Sequence, residues 1–72
     1  MKIIVHRNQE SYNVIKHLFL NVEIEYMWTP QRWGKIFREK YHCSLKLNSA
    51  YGIEYAVFDS EEEYTRFMFT YS

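Results

Sequence analysis

The chain has 72 residues, with nine basic and nine acidic side chains, so its formal net charge is zero at neutral pH. Aromatic residues make up 19% of it, whereas it has only two glycines, one proline and one cysteine. This length allows a single domain over 1–72. The composition is unlike that of disordered chains, and one cysteine excludes an internal disulfide framework.

The first half of the chain predicts two strands and one helix. Residues 2–6 are apolar and mostly β-branched, which favours a short strand. A helix over about 9–19 follows, because apolar residues recur there at spacings of three, four and seven. Residues 20–28 then change to a period of two, which predicts a second, half-buried strand. Its inward-facing residues would be Val22, Ile24, Tyr26 and Trp28.

The second half predicts a helix, a hairpin and a final helix. A Thr-Pro pair is typical of a helix start, so a second helix is expected over 30–42. Residues 43–48 and 53–58 alternate in polarity around a turn-forming segment, which predicts a β-hairpin. A capping box that starts at Ser60 begins a third helix, which is expected to run to the chain end.

This order of elements, β-α-β-α-β-β-α, belongs to the α+β class. It fits a two-layer sandwich in which the helices cover one face of a mainly antiparallel, four-stranded sheet. Polar residues alternate with apolar ones along the predicted strands. The second face of the sheet is therefore expected to be solvated.

The net neutrality hides an uneven distribution of charge. Residues 29–47 carry five basic side chains against one acidic, a net charge of +4, and residues 48–72 carry five acidic against one basic, a net charge of −4. Arg32, Lys35 and Arg38 are spaced to lie along one side of the second helix. Such a row suits phosphate contacts, or else is the solvated face of an amphipathic helix. The isoelectric point near 6.8 is low for a dedicated nucleic-acid binder.

Neither a metal site nor an active site is predicted. The candidate soft ligands are His6, His17, His42 and Cys43. Their spacing matches no zinc motif, so no metal or cofactor is expected. Glu23 and Glu25 would share one face of the second strand, about 7 Å apart, but the chain has no Gly-rich phosphate loop or nucleophile motif and little room for a pocket. We therefore expect no enzymatic activity.

The aromatic residues are candidates for a contact surface. Seven tyrosines, five phenylalanines and two tryptophans are hard to bury in so small a domain. Tyr51 in the hairpin turn, Phe69 off the apolar stripe of the third helix, and Met27 on the polar strand face are expected at a partner surface or at the core edge. The candidate partner-contact residues are Arg32, Lys35, Arg38, His42, Tyr51 and Phe69.

Three segments of the chain resemble a known group of viral proteins. They are the strand IEYAVFDS, the terminal helix EEEYTRFMFTYS that follows it, and the segment WTPQRWGKIFREKYHC. In these segments, and in its size, the chain resembles the small accessory proteins encoded in early regions of T-even-like tailed bacteriophages. The resemblance implies a viral protein made in the bacterial cytoplasm, which binds and inhibits or redirects a host factor such as a defence system.

The leading functional expectation is a small non-enzymatic protein-binding module, a phage-encoded inhibitor or modulator of a host protein. One alternative is a nucleic-acid-binding protein that uses the basic helix 30–42. Another is a self-associating structural or virion component, whose partner is a further copy of the chain. No apolar run is long enough for a membrane span or a signal peptide, so the expected location is cytoplasmic. The resemblance to phage proteins implies that this is the cytoplasm of a bacterial host.

Overall fold

The computed structural model describes residues 1–71, which form three helices and a three-stranded antiparallel sheet. The elements in chain order are β1 (Ile3–His6), α1 (Glu10–Glu25), a short 3₁₀ helix (Pro30–Arg32), α2 (Trp33–Tyr41), β2 (Ser44–Leu47), β3 (Ile53–Phe58) and α3 (Glu61–Tyr71). The α+β class is therefore confirmed. The expected end of the third helix at residue 72 lies outside the described residues.

The predicted strand over 20–28 is wrong, and with it the four-stranded sheet. The chain instead stays helical as far as Glu25. Phe19 and Val22 are three residues apart and both buried, and no glycine or proline interrupts the helix between them. A strand would place Ile24 on the same face as Val22. In the helix about 200° of rotation separates the two, and Ile24 is 62% exposed.

The predicted hairpin is confirmed, and β3 forms the centre of the sheet. The strand order is β1-β3-β2, and both pairings are antiparallel. Val5 of β1 and Leu45 of β2 both pair with Ala56, whose row faces the helices. The neighbouring row, on the other face, is only partly covered. It consists of Ile4, Val57 and Ser44.

Aromatic rings connect the three helices to the sheet. Phe19 of α1 lies 5.8 Å from Trp33 and 6.0 Å from Phe37, measured between ring centroids. Phe37 in turn lies 4.6 Å from Tyr41. The series continues through α3 to Phe58 of β3. Such contacts add about 0.5–1.5 kcal/mol per pair beyond the area buried. They help to stabilise a core that contains no disulfide within residues 1–71.

Local side-chain chemistry fixes the start of α3 and the end of α2. The Ser60 hydroxyl accepts a hydrogen bond from the Glu63 backbone N–H at 3.2 Å, which confirms the predicted capping box. At the other boundary His42 has a φ of 56°, a left-handed conformation that ends α2. Its backbone N–H donates to the Arg38 carbonyl at 2.9 Å.

Candidate interaction surface

Arg38, the last cation of the predicted basic row, is engaged within the molecule. Its guanidinium donates to the Asp59 carboxylate at 2.9 and 3.5 Å and to the Ser44 hydroxyl at 2.6 Å. These hydrogen bonds and the positive charge of Arg38 lower the pKa of Asp59. Arg38 therefore links α2 to β2 and to the start of α3, and both of its terminal nitrogens donate hydrogen bonds within the molecule.

The remaining cations of the basic segment divide into paired and unpaired groups. Lys40 lies 3.4 Å from the Glu25 carboxylate, which raises the pKa of Lys40 through a hydrogen bond and charge attraction. Arg32, Lys35 and Lys46 are exposed, and within residues 1–71 none of them forms an ion pair. The predicted row along α2 is thus reduced to its first two members.

Two further predicted contact residues, Tyr51 and His42, lie at opposite ends of α2. Tyr51 adopts a φ of 63° in the loop between β2 and β3, and its ring lies 5.5 Å from that of Trp33. The Asn48 side chain orders the same loop by accepting hydrogen bonds from the backbone N–H groups of Ala50 and Gly52, each at 2.9 Å. Tyr51 thereby lies against the first turn of α2, whereas His42 is exposed at its last turn.

Phe69 lies on a different part of the molecule. It is 91% exposed, whereas Phe67 on the same helix is buried. The shallow depression beside Phe69 is lined by Glu61, Glu62, Thr65, Arg66 and Thr70. None of these is a predicted contact residue. The structure therefore does not combine the six candidates into one surface, because Arg32, Lys35 and Tyr51 lie near the start of α2 and Phe69 lies on α3.

Further exposed apolar residues lie on α1 and directly after it, where the sequence predicted a strand. Leu20 is 48% exposed and Ile24, one turn later, is 62% exposed. Both face away from the buried positions of the helix. Met27 and Trp28 follow directly after the helix, and Trp28 is 89% exposed. We call Leu20, Ile24, Met27 and Trp28 the outer stripe.

Polar side chains precede the outer stripe on the same side of α1. A shallow depression beside Leu20 is lined by Asn13, Lys16, His17 and Glu23. Lys16 and His17 are exposed and lie about one turn before Leu20, so the stripe begins at a basic end and finishes at Trp28. Of the stripe, only Met27 is singled out by the sequence. The spacing of four between Leu20 and Ile24 is the signal that the strand assignment obscured.

The residues considered for chemistry do not assemble into a reactive site. Glu23 and Glu25, expected on one strand face, are about 200° apart around α1. Burial raises the pKa of the Cys43 thiol to about 12, which disfavours the nucleophilic thiolate. Within residues 1–71, no group of three or more His, Cys, Asp or Glu side chains is arranged to hold a metal ion.

No helix in residues 1–71 has both the length and the apolar character needed to cross a lipid bilayer. No protein-family model, curated protein or solved structure matches the chain.

Proposed function

We propose that this chain is a non-enzymatic protein-binding module that contacts its partner through the outer stripe. The exposure of Trp28, 89%, is the observation that carries the proposal, since it follows the exposed Leu20 and Ile24 closely in the chain. Tryptophan is among the residues most enriched at the energetic centres of interfaces. A side chain of this size contributes most to binding when it is desolvated against another protein.

The shape of the surface favours a helical partner. Leu20 and Ile24 project one turn apart from the side of α1 opposite its buried residues. Side chains at this spacing form a ridge that fits the groove between the side-chain rows of another helix. A partner helix with apolar residues at i, i+3 or i+4 and i+7 would cover the stripe.

The other sequence-based functions have less support. Arg38 and Lys40 are paired with Asp59 and Glu25, which leaves few free cations on α2 for a phosphate backbone. The expectation of a host factor as partner rests on the resemblance to phage accessory proteins and stays a prediction. The expectation that the chain has no enzymatic activity also stays a prediction.

The proposal is tested by photo-crosslinking from inside and outside the stripe. A photoreactive benzoylphenylalanine replaces Ile24 in the full chain, and in the matched control it replaces Lys46, which is exposed on β2. Irradiation in the producing cells is expected to give one discrete cross-linked species from position 24 and none from position 46. The partner protein captured from position 24 is then purified on its own, without the cross-link. It should bind the unmodified chain and should not bind the Leu20→Lys variant.

Two results would overturn the proposal. One is the absence of any discrete species from position 24. The other is the same set of species from positions 24 and 46, which would indicate non-specific contact. Circular dichroism of the Leu20→Lys variant provides the folding control, since Leu20 faces away from the core.

A further inference from the structure

We infer that the sheet face opposite the helices binds single-stranded RNA, by stacking a base on Tyr55 and contacting phosphates through the cations around it. We call this surface the open face. It consists of two rows of paired strand residues: Ile4, Val57 and Ser44, and His6, Tyr55 and Lys46. The inference adds a second contact surface to the outer stripe of α1 and does not depend on it.

Tyr55 lies at the centre of the open face. It belongs to β3, the middle strand, and pairs with His6 of β1 on one side and with Lys46 of β2 on the other. Its neighbour Ala56 is fully buried and faces the helices, so alternation along the strand directs Tyr55 to the opposite face. Tyr55 is only half-buried, and His6 and Lys46 are exposed, so the ring is accessible from solvent.

An aromatic ring in this position is suited to base stacking. Sheets that bind single-stranded RNA stack unpaired bases on aromatic side chains of their strands. The imidazole of His6 lies 6.4 Å from the Tyr55 ring, measured between centroids, and provides a second flat group beside it. Ile4 and Val57 lie two residues further along their strands, on the same face, and provide apolar contact for a neighbouring nucleotide. The bases of a duplex are already stacked on one another, so a single strand fits this surface better.

The charge around the open face complements a phosphate backbone. Lys46 belongs to the Tyr55 row, and Lys2 and Arg7 flank β1 in the chain. All three are exposed, and within residues 1–71 none forms an ion pair. Among the acidic groups nearby, Asp59 is bound by Arg38, and Glu54 is exposed at the irregularity between β2 and β3. The open face therefore has an excess of positive charge, although the chain as a whole is neutral.

Uncharged polar groups beside the ring favour RNA over DNA. The Tyr55 hydroxyl forms no hydrogen bond within residues 1–71. The ribose 2′-hydroxyl, which DNA lacks, both donates and accepts hydrogen bonds. A tyrosine hydroxyl and an imidazole can each be its partner. An acidic peptide would satisfy the cations but would bring no bases to stack on Tyr55.

Fluorescence anisotropy with a labelled uridine octamer in about 50 mM salt tests the inference on the full chain, since such binding is strongest at low salt. Removing the ring with Tyr55→Ala should weaken binding by about 5- to 150-fold, the usual contribution of one base–aromatic stack. The matched control, Phe69→Ala, removes an exposed ring from α3 and should bind like the natural chain. If Tyr55→Ala does not fold, Tyr55→Ile removes the ring and keeps an apolar residue suited to a strand.

The phosphate contacts are tested by the dependence of affinity on salt. Each phosphate contacted in a single strand contributes about −0.7 to the slope of log affinity against log salt concentration. Lys46→Gln should make this slope shallower by about 0.7. Lys35→Gln replaces another exposed lysine without an ion pair in residues 1–71, on α2, and should leave the slope unchanged. The reverse result would place the phosphate on α2 and overturn the open face as the site.

Two further probes identify the ligand class. The deoxyuridine octamer differs from the RNA only at the 2′ position, and its binding should be weaker for the natural chain and equal to that of RNA for Tyr55→Phe. Equal binding of both octamers by the natural chain overturns the choice of RNA. A labelled glutamate octapeptide that binds as tightly as the RNA overturns nucleic acid as the ligand.

The inference and the proposed function fail in different ways. No change in anisotropy at about 100 µM chain, the weak limit of non-specific nucleic-acid binding, overturns the inference and leaves the outer stripe unaffected. Equal binding by Tyr55→Ala and the natural chain also overturns it. Ile24→Ala alters the outer stripe without changing charge and should bind the RNA normally. Cross-linked samples are treated with ribonuclease, so that species from positions 24 and 46 report protein contacts alone.

Discussion

Two phenylalanines on α3 allow the contribution of ring packing to be separated from that of the surface. Phe67 is 4% exposed, and its ring lies 5.1 Å from that of Phe58 and 5.0 Å from that of Tyr71. Phe69, two residues later, is 91% exposed. Replacing each by alanine makes the same chemical change in the same helix and alters only the burial of the ring removed.

The expected magnitudes differ widely. Removing a buried phenylalanine ring costs about 3–5 kcal/mol of unfolding free energy. At about 0.05–0.15 kcal/mol per residue, a chain of this length has about 4–11 kcal/mol in total. Phe67→Ala should therefore remove a quarter or more of the stability. Phe69→Ala should change it by about 0.5 kcal/mol or less, since no packed contact is lost.

Urea unfolding followed by far-ultraviolet circular dichroism measures both variants. The midpoint for Phe67→Ala should fall well below that of the natural chain, and the midpoint for Phe69→Ala should coincide with it. If Phe67→Ala does not fold, Phe67→Leu retains part of the packing and should give a smaller, measurable loss. Equal losses at the two positions would refute the ring network as the origin of the stability.

Three further outcomes are expected. Cys43 should react with iodoacetamide at pH 8 far more slowly in the folded chain than in urea, since burial raises its pKa from 9.0 to about 12. The free energy of unfolding should also fall as pH rises above 9, because the thiol deprotonates in the unfolded chain before it does in the folded one. Arg38→Gln should raise the pKa of Asp59 in a carboxyl NMR titration. It should also remove the stabilisation that the pair provides above the ordinary aspartate pKa and loses as pH falls through the lowered one. Val22→Ala should lower the urea midpoint and Ile24→Ala should not, whereas a strand over 20–28 would make both costly.

Sequence patterns correctly predicted the elements whose boundaries depend on hydrogen bonds between residues close together in the chain. The capping box at Ser60 is a contact between residues three apart, and it forms as the sequence indicates. The hairpin is another such case, because Asn48 and Gly52 close its loop with hydrogen bonds of 2.9 Å. In both places the groups that decide the structure are close in the chain.

The segment 20–28 failed because its pattern suits two structures. Val22 and Ile24 alternate with glutamates, as in a half-buried strand, but glutamate is also a good helix former. The decision comes from tertiary packing: Phe19 lies against Trp33 and Phe37 of α2, and Val22 extends the same buried face. Exposure of the outer stripe follows from this choice of helix.

The contact residues were harder to predict because their partners are distant in the chain. Arg38 and Asp59 are 21 residues apart, and no local pattern indicates that they pair. The sequence does not distinguish a lysine or arginine that forms an ion pair from one that does not. Of the predicted set, Arg32 and Lys35 stay exposed without an ion pair among residues 1–71, and Phe69 is exposed as expected.

The opposite charges of the two chain segments meet inside the molecule at one ion pair among residues 1–71. Arg38 belongs to the basic segment and Asp59 to the acidic one, and their contact joins α2 to the beginning of α3. Because this pair is satisfied within one copy, charge on α2 is a weaker basis for recognition than the net charge of the basic segment first indicates. Within residues 1–71 Trp28 forms no hydrogen bond or ring contact, so apolar contact is the basis of the proposed binding.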